Sequence, residues 1–176
     1  MKRKKLTASM IALVMSVSLP MTTYAANWYL EDGSVTVNAD NSGQTVTQGS
    51  TSTPDEAPVI TQRESSVETG NTIAISTSDN AAANVTIKDI NIKSSNDAID
   101  VKGSSSANIT LEGDNKIFSE TGSALHVSDG NVTINGSGSL KAEIQDDLGS
   151  DYNHNAKIGS HENEDMSGSI HITGDA

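Results

Sequence analysis

The densest set of polar side chains in this sequence is Asp146-Asp147-Leu148-Gly149-Ser150-Asp151-Tyr152-Asn153-His154-Asn155. Calcium takes roughly six to eight oxygen ligands, and alternate residues of one loop can supply several of them. Asp147, Asp151 and Asn153 are therefore the expected metal ligands, with calcium the expected ion. The order is not that of an EF-hand loop, which closes on a glutamate after alternating acidic residues and a glycine. The same residues, like the second acidic run Glu162-Asn163-Glu164-Asp165, also suit a solvated turn.

The histidines are His126, His154, His161 and His171. Zinc asks for a small ligand set at close, defined spacing, and His154 with His161 and a carboxylate is unpatterned. Strand alternation places His126 and His171 on outward positions. These histidines read as surface residues. The chain has no cysteine, which removes thiolate nucleophiles and Cys-based zinc sites.

Catalytic sets are equally sparse. Beyond residue 25 the single arginine is Arg63, and Lys88, Lys93, Lys102, Lys116, Lys141 and Lys157 read as scattered rather than convergent. Paired carboxylates, as glycoside hydrolysis needs, are inevitable among 23 acidic residues and so discriminate nothing. There is no Gly-x-Ser-x-Gly elbow. The expectation is a protein without enzymatic activity. Aromatic faces for sugar stacking are limited to Trp28, Tyr29, Phe118 and Tyr152, of which Trp28 and Tyr29 are expected to cap the fold.

The elements that must position these residues follow from a repeat. Asn84-Val85-Thr86-Ile87, Asn108-Ile109-Thr110-Leu111 and Asn131-Val132-Thr133-Ile134 recur at intervals of 24 and 23 residues, and Ser169-Ile170-His171-Ile172 follows after 38. A period in this range marks a solenoid whose units stack to bury a shared core. Alternation assigns Val85, Ile109, Val132 and Ile170 to one inward column and Ile87, Leu111, Ile134 and Ile172 to a second. Thr86, Thr110, Thr133 and His171 form an outward column. A second strand reads Ile99-Asp100-Val101, Leu125-His126-Val127 and Ala156-Lys157-Ile158. A third reads Ile90-Asn91-Ile92, Ile117-Phe118 and Leu140-Lys141-Ala142. Three strands per rung of about 23–26 residues describe an all-β parallel β-helix over residues 84–176.

Residues 26–83 form a polar, strand-containing N-terminal segment. It carries Ser34–Val37, Thr45–Thr47, Pro58–Thr61 and Thr72–Ser76 as short strands, and Gly49–Pro58 is expected to be a loop. Residues 1–25 carry the marks of an export signal: Lys2-Arg3-Lys4-Lys5, an apolar run from Leu6 to Leu19, Pro20, and small residues at Thr23-Tyr24-Ala25. The run is too short to span a bilayer, so no membrane span is expected in the mature chain. Without this signal, 7 basic residues face 23 acidic ones, a net charge of −16. Such a surface repels nucleic acid and favours cations. The three Asn-x-Thr phrases match a glycosylation sequon, but their fixed place in the repeat makes strand patterning the better explanation.

The phrases Asn108–Asn115, Asn131–Leu140 and Ala156–Gly159 resemble the secreted β-helix carbohydrate-binding domains of Gram-positive bacteria. The resemblance extends to Asn27-Trp28-Tyr29-Leu30 and Ala57–Gln62 and covers most of the mature chain. It implies a right-handed β-helix related in shape to pectate lyases, and non-catalytic binding of acidic plant polysaccharide with calcium. Where such domains carry Gly-Ala-Gly-Ile-Gly and further rungs, this chain has Asn155 and Lys157 in place of two glycines and then stops after a strand phrase. It is therefore expected to be a fragment, or to be capped by something else. The resulting expectation is a secreted or cell-surface monomer that binds uronate-rich polysaccharide through calcium. A structural, adhesin-like surface repeat is the reading from another class, and a polysaccharide lyase is the third.

Overall fold

The computed structural model describes residues 25–145, 156–161, 164 and 168–174. Its strands, in chain order, are β1 (Asn27–Tyr29), β2 (Val35–Asp40), β3 (Gly43–Gln48), β4 (Thr51–Pro54), β5 (Val59–Thr61), β6 (Ile73–Thr77), β7 (Ala82–Lys88) and β8 (Asn91–Ser94). They continue with β9 (Ile99–Gly103), β10 (Ser106–Glu112), β11 (Asp114–Ser119), β12 (Leu125–Val127), β13 (Asn131–Gly136), β14 (Ser139–Ile144), β15 (Ile158–Gly159) and β16 (Ser169–Ile172). One 3₁₀ turn, Leu30–Asp32, is the only helical element among the described residues.

The strands form three sheets that run along a β-solenoid. A six-stranded sheet has the order β1-β5-β7-β10-β13-β16, a three-stranded sheet β8-β11-β14, and a seven-stranded sheet β15-β12-β9-β6-β2-β3-β4. Three complete turns, β7-β8-β9, β10-β11-β12 and β13-β14-β15, each send one strand to each sheet in parallel register. This is the expected all-β parallel β-helix.

Alternation builds the core. In β7, Ala83, Val85 and Ile87 are buried while Ala82, Asn84 and Lys88 are exposed. Stacked turns place Ile92 and Ile117 beside Ile99, Leu125 and Val101 in one continuous apolar interior. Aliphatic side chains fill it because each rung covers the face of the next. Corners are held by buried polar side chains. Asn115, 1% exposed, accepts from Ile90 N and donates through Nδ2 to the carbonyls of Glu112 and Ser139, so that one amide joins three turns.

The register departs from the repeat in one place. β7 and β10 align as expected, with Val85 opposite Ile109 and Ile87 opposite Leu111. Between β10 and β13 the pairing moves by two residues, so Ile109 lies opposite Ile134, Ala107 opposite Val132, and Leu111 opposite Gly136. The inward columns are therefore Val85–Ile109–Ile134 and Ala83–Ala107–Val132, with Ile172 and Ile170 of β16 next in line, but Ile172, expected to be inward, is 61% exposed. Outward, Asn84, Asn108, Thr133 and His171 share one column, and Thr86, Thr110 and Asn135 the next. A slip of two keeps every side chain on its own face, since the strand period is two. Gly136 permits the slip: at φ +108° it sits against Leu111, where a Cβ would meet the Leu111 carbonyl oxygen at 2.3 Å. The same two-residue adjustment places Ile158, rather than Ala156, opposite Leu125.

The N-terminal end is closed by antiparallel pairing. β2 pairs parallel with β6 but antiparallel with β3, and β3 pairs antiparallel with β4. Thr51–Pro54, expected within a loop, is thus the edge strand of the seven-stranded sheet. The reversal leaves no parallel template exposed there. Gln44 extends the closure: its side-chain amide accepts from Asn84 N at 2.7 Å and donates to Asn84 O at 3.0 Å, standing in for a missing strand. Trp28 is 8% exposed and packs into this end, as expected of a capping residue. Among the described residues, no helix is long and apolar enough to cross a membrane.

Candidate functional site

Two constellations of side chains on the outer surface stand apart from the packing scheme. The first is a groove on the three-stranded sheet. Here the outward positions of β8, β11 and β14 align Lys116 between Asn91 and Lys141, and Phe118 between Lys93 and Glu143. Successive strands lie about 4.8 Å apart, so one parallel sheet turns residues from separate turns into a compact row. Glu68 also lines the groove, which encloses about 310 Å³.

Lysines that read as scattered in sequence are therefore gathered on one face. Three of the seven basic residues beyond residue 25 line this groove. Lys93 Nζ lies 5.7 Å from the centre of the Phe118 ring, within range of a cation–π contact. Lys141 pairs with Glu143 at 2.9 Å. Lys116, in the middle, has no carboxylate within ion-pair distance among the described residues. Elsewhere Lys88 pairs with Glu112 at 3.0 Å and Lys102 with Asp100 at 2.8 Å. Arg63 holds Asp32 through both guanidinium nitrogens, at 3.0 and 2.7 Å, and lies 4.0 Å over the Tyr29 ring. This arginine fastens the 3₁₀ turn to the segment after β5.

The second constellation lies at the corner before the seven-stranded sheet. Asp97 precedes β9, Asp100 lies on it, and His126 on β12 sits directly opposite Asp100. His161 follows β15 and stacks on His126 with ring centres 4.0 Å apart and planes 12° from parallel. His126 Nδ1 lies 2.9 Å from Asp100 Oδ1 and Nε2 lies 2.7 Å from Glu164 Oε2. His161 Nε2 lies 2.7 Å from Asp97 Oδ1, which also accepts from Ser123 N at 2.7 Å. His126 does occupy an outward strand position, but His161 and Glu164 cover it and leave it 7% exposed.

Charge follows from this geometry. Burial works against a charged His126, but the hydrogen bonds to Glu164 and Asp100, with Asp97 nearby, outweigh it and raise its pKa above the ordinary 6.5. Burial likewise opposes ionisation of Asp100, yet the bonds from Lys102 and His126 hold its pKa below 3.8. Glu164 is lowered chiefly by its bond to His126. Asp97, His126 and His161 each offer a ligand atom, all within 4.8 Å of one another. However, a metal binds an imidazole nitrogen along the ring plane, and these two planes run nearly parallel. A shared ion needs one ring to turn. As arranged, the cluster is a clamp in which protonated His126 answers two carboxylates and ties successive turns together.

The expected calcium ligands Asp147, Asp151 and Asn153 lie outside the described residues, as does His154. His161 meets His126. No signal in the primary structure links those two, because the inserted segment between β14 and β15 obscures the repeat. The lysine row was findable: Lys116 and Lys141 occupy the same place in the third strand of adjacent turns. No family model, curated protein or solved structure matches this chain.

Proposed function

We propose that this chain is an exported, non-catalytic module that binds an acidic polysaccharide along its three-stranded sheet. The observation that carries this reading is the gathering of Lys116 and Lys141, opposite each other, with Lys93, opposite Phe118, on one open groove of an otherwise acidic molecule. Ammonium groups repeated from turn to turn suit carboxylates repeated along a uronate polymer, and the Phe118 ring offers an apolar face to a sugar ring. An open groove that crosses successive turns fits a long chain better than a small molecule. Calcium belongs to the same reading as a bridge between uronate carboxylates and the acidic loop at Asp147, Asp151 and Asn153.

The engagement of Arg63 with Asp32 and Tyr29 favours binding over a lyase reaction, since this arginine is held away from the groove. The resemblance carried by the phrases Asn108–Asn115 and Asn131–Leu140 points the same way. The leader read at residues 1–25 belongs to the same reading, in which the protein acts outside the cell or at its surface.

Retention of the exported protein on immobilised polygalacturonate, compared with neutral glucan, with calcium and then with chelator, tests the reading. Retention on the uronate polymer without release of unsaturated products is the expected result. A Lys116→Glu variant should lose it while keeping the parent Tm. If no polymer retains the protein in either condition, the reading fails and a purely structural repeat takes its place.

A further inference from the structure

Asp55 is a carboxylate buried to 2% exposure with no Lys, Arg or His partner among the described residues. A buried charge of this kind is costly unless it is paired and hydrogen-bonded. Its neighbours are neutral donors. Trp28 Nε1 donates to Oδ2 at 2.9 Å, and Ala57 N donates to Oδ1 at 3.2 Å. The remaining donor is the backbone nitrogen of Ala26, 3.2 Å from Oδ2. Ala26 is held there from its other side, because its carbonyl accepts from Val59 N at 2.9 Å and so continues the β1–β5 ladder.

Ala26 is also the first residue after the cleavage position read from Thr23-Tyr24-Ala25. Two independent features, a small-residue cleavage pattern and a buried unpaired carboxylate, thus meet at one nitrogen. We propose that Asp55 is the receiving site for the α-ammonium group of the mature N-terminus. Hydrolysis of the Ala25–Ala26 bond consumes one water: the hydroxyl completes the Ala25 carboxyl, and the hydrogen goes to the Ala26 nitrogen. The freed amine takes a further proton from solvent and becomes an ammonium, a cation with three donors where the peptide had one. That cation pairs with Asp55 alongside the Trp28 indole N–H, so the N-terminal end of the solenoid reaches full stability only after processing. Before cleavage the same position offers Asp55 a single neutral N–H.

This inference rests on the export part of the functional reading and is independent of glycan binding. The test uses the protein exported from a cell carrying the full-length chain. Intact mass identifies the first residue: a chain beginning at Ala26 is expected, and any other start overturns the assignment at its first step. The α-amine, labelled by reductive methylation with ¹³C-formaldehyde, is then titrated by NMR. Pairing with Asp55 should raise its pKa clearly above the ordinary value of about 7.7–8.0, and denaturant should return it to that range. Acetylation of the α-amine should lower the Tm of the parent by several degrees and change an Asp55→Asn variant far less. An α-amine that starts at Ala26 but titrates at its ordinary value overturns the pairing while leaving export intact. The titration needs only the parent protein, so a poorly folding Asp55→Asn variant does not weaken the test.

Discussion

His126 and His161 lie ring on ring at 4.0 Å although they belong to different turns, and the lower ring hydrogen-bonds Asp100 and Glu164 from its two nitrogens. An imidazole can donate from both nitrogens only when protonated. The stack is therefore a pH-dependent fastening for the turn that carries β15.

The sign of that dependence is set by which state binds the proton more tightly. His126 has a raised pKa in the folded protein, so its contribution is complete below the unfolded value near 6.5 and is lost as pH rises through the folded one. Asp100 and Glu164 have lowered values, so their contributions hold above the unfolded carboxylate range and fade as pH falls through the folded values. Tm measured against pH should peak between those limits and decline on the alkaline side. His126→Gln should flatten the alkaline decline and destabilise the protein by about 1–3 kcal/mol, the cost of stranded buried hydrogen-bond partners. An unchanged alkaline slope in the variant would remove His126 as its source.

The register slip makes a second, purely steric prediction. Gly136→Ala places a Cβ 2.3 Å from the Leu111 carbonyl oxygen at φ +108°, whereas Gly49→Ala at φ +59° meets nothing within 4 Å. The first should cost at least about 2 kcal/mol and the second about 1, the ordinary cost of a left-handed residue with a side chain. Equal losses in urea denaturation would mean that the β10–β13 register differs from the one described.

Asn115 joins three turns through buried hydrogen bonds. Asn115→Ala leaves the Ile90 N–H and the Glu112 and Ser139 carbonyls short of partners, at an expected cost of about 2–4 kcal/mol. Amide hydrogen exchange at Ile90 should accelerate sharply in this variant. Protection equal to the parent would show that another group satisfies that donor.

On the lysine row, single Lys93→Ala, Lys116→Ala and Lys141→Ala substitutions should each weaken uronate binding by about 1.5- to 5-fold, the range set by exposed ion pairs of 0.2–1 kcal/mol. Lys141 should matter least, because Glu143 already occupies it, whereas Lys93 and Lys116 have no ion-pair carboxylate among the described residues. Because exposed charges are screened, the difference between parent and variants should shrink in high salt. Affinities insensitive to both substitution and salt would place the contact elsewhere.

Much of this architecture was legible in the primary structure. Alternating Val, Ile and Leu at a near-constant interval dictated a parallel solenoid, because side-chain direction in a strand depends only on position parity. That parity also survives the slip at Gly136, so the inward residues of β7, β10 and β13 are buried as expected even where their partners differ, whereas Ile172 of β16 is exposed. What the alignment of phrases could not carry was vertical register, since shifts of two residues leave the hydrophobic pattern unchanged. Thr51–Pro54 read as a loop because its Ser, Thr and Pro content outweighs a pairing that only the adjacent β3 supplies.

The surface chemistry divided along the same line. Residue types alone determined an acidic, cysteine-free molecule with few cations and fewer aromatics. Only stacking decided that Lys93, Lys116 and Lys141 share a groove, that His126 is covered by His161, and that Asp55 meets the nitrogen of Ala26. A solenoid repeats its direction every turn, so local sequence fixes which way a side chain faces, while its neighbours come from the turns above and below.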